Sequence, residues 1–150
     1  MRRVFLASVG LVAVPAALLA TLPATSAFAA ASPTIVSCKT FTGSATATGS
    51  TGAAKGCNHL WISGGRATQI GTGSTFAVTW RTGKTTTGTD TTTVVTPSTC
   101  PSAFPEEIQA FGTVTGGTAK RLIGGVATSL FCANTTTGQF VLLPGTTWNM

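Results

Sequence analysis

The chain has 150 residues, of which nine are Lys or Arg, three are Asp or Glu and one is His, for a net charge of +6 with no tyrosine. Charged residues make up only 8% of the chain, and so little self-repulsion, together with apolar residues gathered in strand-like runs, excludes a disordered polyelectrolyte. The basic residues are scattered along the chain with no aromatic-interleaved stripe, which argues against a nucleic-acid binder.

Residues 1–29 have the three parts of a secretory signal peptide: Arg2 and Arg3, an apolar run Val4–Leu22, and a small-residue exit at Ala27-Phe28-Ala29. Cleavage is expected after Ala29, with Ala31 as the alternative. The run is nearly long enough to span a bilayer, but Pro15, Pro23 and the small residues at its end favour removal, leaving no membrane span. Arg2-Arg3-Val4-Phe5-Leu6 also fits the core of a twin-arginine signal, so the export route stays open between the general and the folded-protein pathway. Removing Arg2 and Arg3 with the leader leaves seven basic against three acidic residues, a net charge of +4. A weakly cationic, solvated surface is the expected result, with attraction to anionic cell-wall polymers or lipid surfaces as the alternative.

Residues 30–150 read as a single β-domain. Thr34 to Phe41 suits a strand, and Thr42 to Lys55 is a Gly/Ala/Ser/Thr stretch that fits either a strand or a loop. Asn58 to Ser63, around Leu60-Trp61-Ile62, is a third strand candidate closed by Gly64-Gly65. Gly71-Thr72-Gly73 is a turn, since the remaining glycines and following helix of a phosphate-binding loop are missing. Phe76, Val78 and Trp80 alternate with Ala77, Thr79 and Arg81, the period of a half-buried strand, and Arg81-Thr82-Gly83-Lys84 turns the chain into the β-branched run Thr85–Thr96. Ile108, Ala110, Gly112 and Val114 alternate with Gln109, Phe111, Thr113 and Thr115. Leu122–Cys132 reads as one long strand with a bulge or bend at Gly124-Gly125. Asn134–Gly138 turns the chain into Gln139–Leu143, and Thr146–Trp148 is expected to pair as an edge. Seven or eight strands joined by short turns predict an antiparallel β-sandwich, with a meander closing into a small barrel as the alternative.

Four cysteines permit three pairings. Cys38–Cys57 and Cys100–Cys132 are favoured because each joins neighbours in chain order, and the chain-entropy estimate for such loops is about 3 to 4 kcal/mol each. A zinc site is disfavoured: no Cys-x-x-Cys occurs and His59 is the only histidine.

Cys38 before a Thr/Gly run, Val78-Thr79-Trp80-Arg81-Thr82-Gly83-Lys84-Thr85-Thr86, Gly112-Thr113-Val114-Thr115, Gly124-Gly125 before Cys132, and Leu143-Pro144-Gly145-Thr146 together span most of residues 30–150. In these motifs the chain resembles small secreted disulfide-containing β-proteins of actinobacteria. That group has no assigned activity, so the resemblance implies secretion and an all-β fold and brings no catalytic residues.

Catalysis finds little support in the residue inventory. Glu106 and Glu107 are adjacent in a strand and so point to opposite faces, unlike a paired-carboxylate site. A Ser-His-acid site would need His59 beside Asp90 or a glutamate, and no Gly-x-Ser-x-Gly elbow is present. His59 reads as a loop residue beside Asn58. The expectation is a secreted, extracellular or surface-associated domain that is not an enzyme, needs no cofactor or metal, and binds a cell-wall polymer or an extracellular protein. An extracellular enzyme inhibitor presenting the Pro-flanked segment Thr96–Pro101 is the alternative, followed by a secreted hydrolase. Trp148, near the terminus, and Trp61 are the expected ligand contacts, while Trp80 belongs to the core.

Overall fold

The computed structural model describes residues 36–150, so the leader expected at 1–29 and its cleavage site lie outside the described residues. The chain is all-β and antiparallel. Its main strands are β1 (Ser37–Thr46), β2 (Gly49–Cys57), β3 (Arg66–Thr72), β4 (Thr75–Trp80), β5 (Thr85–Val95), β6 (Glu106–Gly116), β7 (Val126–Asn134) and β8 (Gln139–Leu142). Each pairs with its neighbours in sequence, and β1 pairs both with β2, from Cys38↔Cys57 to Thr46↔Gly49, and with β8, from Thr42↔Val141 to Ser44↔Gln139. The meander therefore closes on itself. Of the two architectures anticipated, the barrel forms rather than the sandwich, because β1 bonds a partner along each of its edges and no strand switches to a second sheet.

The alternation read in β4, β5 and β6 holds in register. Phe76, Val78 and Trp80 are buried while Thr75, Ala77 and Thr79 are exposed. Val114 stands opposite Gly88 and Gly112 opposite Asp90, so these positions share the inner face. The same register carries the inner face through Ala127, Ser129, Phe131 and Ala133 of β7 and Phe140 and Leu142 of β8. Aromatic rings lie across the inner face because glycines on adjacent strands leave them room. Any Cβ at Gly52 would collide with the Phe41 ring, and one at Gly88 would collide with Phe76 and the Thr113 carbonyl.

Three sequence expectations are corrected, and one strand had no sequence signal. Asn58–Ser63 is not a strand: left-handed His59 (φ 52°) and Gly64 (φ 56°) bracket a single helical turn, α1 (Leu60–Ser63), which drops Ile62 into the core at 0% exposure. The run from Leu122 is split, with a 3₁₀ turn Lys120–Leu122 followed by β7 from Val126. Gly124-Gly125 is the loop between them, Gly124 at φ 84°. β3, whose inner positions are only Ala67, Gln69 and Gly71, has no large apolar residue on its inner face to announce it, Ile70 pointing outward. Finally, β9 (Trp148–Asn149) is not an edge. It pairs with β1 and with β7, filling the gap below the short β8.

One end of the barrel, here the foot, gathers α1, the 3₁₀ turn, the β4–β5 turn and both ends of the described chain. Val36, Ile62, Trp80, Leu122, Trp148 and Met150 are each no more than 3% exposed there, and Trp80 Nε1 donates to Thr86 Oγ1 at 2.8 Å, so the buried indole is satisfied. Ser63 Oγ donates to the Asn58 and His59 carbonyls and accepts from Gly65 N–H, locking the α1 loop. The Cys38–Cys57 disulfide joins facing residues of β1 and β2 at this end. The Cys100–Cys132 disulfide ties the β5–β6 loop to β7 at the opposite end. Both bridges are those favoured from chain order, and paired cysteines of this kind are typical of extracellular proteins.

Candidate functional site

The other end, the mouth, is not filled. An interior cavity of about 620 Å³ opens beside the β1–β2 and β7–β8 loops, within the usual size range of a small-molecule pocket. Eight strands enclose an interior that side chains either just fill or leave large enough for one small ligand. Here many inward positions of the mouth half are small or short, Ala45, Ser50, Ala110, Gly112, Ala127, Ser129 and Ala133 all lining the cavity beside the larger Ile108 and Phe76. The cavity floor is aromatic. Phe41 lies 5.4 Å from Phe131, 6.0 Å from Phe140 and 5.2 Å from Trp148, and Trp148 in turn lies 5.9 Å from Trp80. The rings pack mostly edge-on or tilted, the favoured geometry for aromatic pairs, and this stack divides the hollow mouth from the packed foot.

Two polar groups stand out on that wall, Gln69 of β3 and Asp90 of β5. Asp90 is placed by the inward phase Thr86, Gly88, Asp90, Thr92 and lies next to the Phe76 ring, which covers Gly88 and Gly112. Partial burial beside these apolar neighbours raises its pKa from the ordinary aspartate value, and a hydrogen bond from its own backbone amide offsets this only in part. Among the described residues no side chain donates to the Asp90 carboxylate and no Lys or Arg pairs with it. The cavity thus combines aromatic surface with one carboxylate that has no countercharge.

The residues singled out from sequence are distributed as follows. Trp148 is 3% exposed, contrary to the expected surface position, because β9 is drawn into the sheet between β1 and β7. Its ring still borders the cavity, from the floor. Trp61 is 47% exposed at the foot, with the Arg121 guanidinium 4.9 Å above its ring and His59 edge-on at 6.3 Å. Trp148 is thus inside the barrel and Trp61 on its outer surface at the foot, and the two form no common groove.

His59 projects from the α1 loop, and among the described residues no acid or serine side chain bonds its ring. Glu106 and Glu107 do face differently, as expected. Glu107 is 5% exposed, and its Oε2 accepts from both the N–H and the Oγ1 of Thr99 at 2.8 Å, bonds that hold its pKa below the usual value. Glu106 meets Thr135 near the surface. The segment Thr96–Pro101 is held at its base by this Thr99–Glu107 pair and by Cys100–Cys132 while its other residues are exposed.

Sequence reasoning passed over Gln69, Phe41 and Phe140 as site residues and weighed Asp90 only as the acid of a Ser-His-acid site. A signal existed for Asp90: a lone acid in the inward phase of a Thr-rich strand. In comparisons with protein-family models, curated proteins and solved structures, nothing matches this chain.

Proposed function

We propose that the protein is a secreted, non-catalytic carrier or sensor that holds a small, largely apolar ligand with a cationic or strongly hydrogen-bond-donating group inside the barrel. The observation that carries this reading is the aromatic-floored cavity with the uncompensated carboxylate of Asp90 on its wall. Partial burial without a countercharge disfavours the ionised carboxylate, and an ammonium or amidinium brought to it would offset that penalty. The rings supply apolar contact area, which sets the bulk of affinity, while Asp90 and Gln69 orient the ligand. The leader-like residues 1–29, the resemblance to secreted actinobacterial β-proteins and the two disulfides support an extracellular location.

The test is titration with aromatic amines and their neutral isosteres, read by intrinsic tryptophan emission, since Trp148 borders the cavity. Saturable one-to-one binding by the amines, lost when Ala110→Leu fills the cavity of a still-folded protein, is expected. An unchanged response in the filled variant would refute the reading. A second reading, inhibition of an extracellular protease, rests on the pinned and exposed Thr96–Pro101 segment. Stoichiometric inhibition of a secreted serine protease that disappears after cleavage or disulfide reduction would favour it.

A further inference from the structure

Seven basic residues that look scattered in sequence are collected by the meander. Arg66 opens β3, Arg81 and Lys84 lie in the β4–β5 turn, and Lys120 and Arg121 form the 3₁₀ turn between β6 and β7. Lys39 and Lys55 lie within three residues of the foot end of β1 and β2. Every Lys and Arg among the described residues is therefore at the foot, exposed except for half-buried Lys84. The acids are elsewhere: Glu106 and Glu107 begin β6 at the mouth, and Asp90 faces the cavity. No ion pair neutralises the basic set among the described residues.

The same end carries a cluster of exposed apolar side chains. Leu60 is 69% exposed, Trp61 47% and Ile123 40%. They project from the two foot loops that Arg121 and Trp61 bring together through their stacking contact. Nothing in the packing of the barrel requires these three outside, since Ile62 and Leu122, their chain neighbours, already plug it. We infer that the foot is a docking face for an anionic lipid surface, with Leu60, Trp61 and Ile123 entering the headgroup boundary inside a ring of lysines and arginines. Charge alone would suit any polyanion. The choice of lipid follows from the apolar crown, because a bilayer interface offers an acyl boundary that receives Trp and Leu, and a soluble polyanion offers none. Docked this way, the mouth and its cavity face away from the membrane.

The oxidised protein is mixed with vesicles of phosphatidylglycerol and phosphatidylcholine or of phosphatidylcholine alone, and binding is read by co-sedimentation and tryptophan emission. Binding to the anionic vesicles only, a blue shift, quenching by brominated lipid, and weakening as salt rises from about 0.05 to about 0.5 M are expected. Arg81→Gln with Arg121→Gln should lower partitioning about 25-fold, at about fivefold per charge. Leu60→Ser with Trp61→Ser should leave a weak salt-sensitive attraction without the emission change. No binding to anionic vesicles at low salt overturns the inference. So does equal binding by the Leu60/Trp61 variant with full competition by polyphosphate, which would make the foot a general polyanion face. Should either variant fail to fold by near-ultraviolet circular dichroism, quenching of the unsubstituted protein by brominated lipid decides alone. Failure here leaves the cavity reading untouched, because the amine titration uses no lipid.

Discussion

The two ends of this barrel are built from the same strands and do opposite things with their inward positions. Toward the foot, the inward residues are Val78, Trp80, Val114 and Leu142, capped by Ile62 and Leu122. Toward the mouth, the inward positions include Gln69, Asp90, Ala110 and Ser129. A barrel this small must bury enough apolar surface to offset chain entropy, and it does so in one half. The mouth is free to stay hollow because the foot and the disulfides hold the sheet closed.

The sharpest way to break this comparison is to truncate one side chain at each end. Trp80→Ala at the foot should lose about 3 to 5 kcal/mol in urea unfolding, the usual penalty for deleting a buried aromatic ring. Ala110→Leu at the mouth should stay within about 1.5 kcal/mol of the parent, because the added methyl groups enter space that is already empty. Comparable losses at both ends would mean that the mouth is as tightly packed as the foot.

Somewhat smaller effects are expected from the bridges. Replacing Cys38 and Cys57 together by serine should cost about 3 kcal/mol and Cys100 with Cys132 about 4, from loops closed by residues 19 and 32 apart. The first loss should open the foot to amide hydrogen exchange. The second should act mainly on the β5–β6 loop at the mouth.

The smallest effects sharpen the comparison through pH. The pKa of Asp90 is raised in the fold, so its contribution to stability is fully present below the ordinary carboxylate range and disappears as pH rises through the raised value. Asp90→Asn should therefore be modestly more stable than the parent at neutral pH, while losing affinity for amine ligands. Glu107 is shifted the other way by Thr99, so its contribution is present above the ordinary range and is lost as pH falls through the lowered value. Glu107→Gln should flatten that acid limb of the melting-temperature profile. Opposite slopes for the two variants are the expected outcome; parallel slopes would remove the distinction between a hollow wall and a hydrogen-bonded rim.

Much of the architecture was legible where side-chain period and turn chemistry agreed. β4, its turn at Gly83, β5, β6 and the Asn134–Gly138 turn were all readable from alternation or glycine placement. What was not legible has physical causes. β3 hides because a strand facing a cavity needs no large apolar residues. Leu60-Trp61-Ile62 imitates a strand because three apolar residues in a row carry no period, and only left-handed His59 and Gly64 make it a helical turn. Trp148 misleads because position near a terminus says nothing about which strands will receive it. The candidate site was least legible of all. An empty space has no sequence signature beyond small residues in the inward phase, and the gathering of seven cations at one end exists only once the meander alternates their direction.

The backbone at the foot also joins the two limits of the described chain. Val36 and Met150 exchange a pair of hydrogen bonds, each 2.8 Å long, so a short Gly-Ser linker could fuse them without disturbing β1 or β9. The β3–β4 turn at Gly73, where nothing lies within 4 Å of an added side chain, is then the natural place to re-cut. A circular permutant opened there would carry its new termini at the mouth end of the barrel, where a reporter or an affinity tag could be appended.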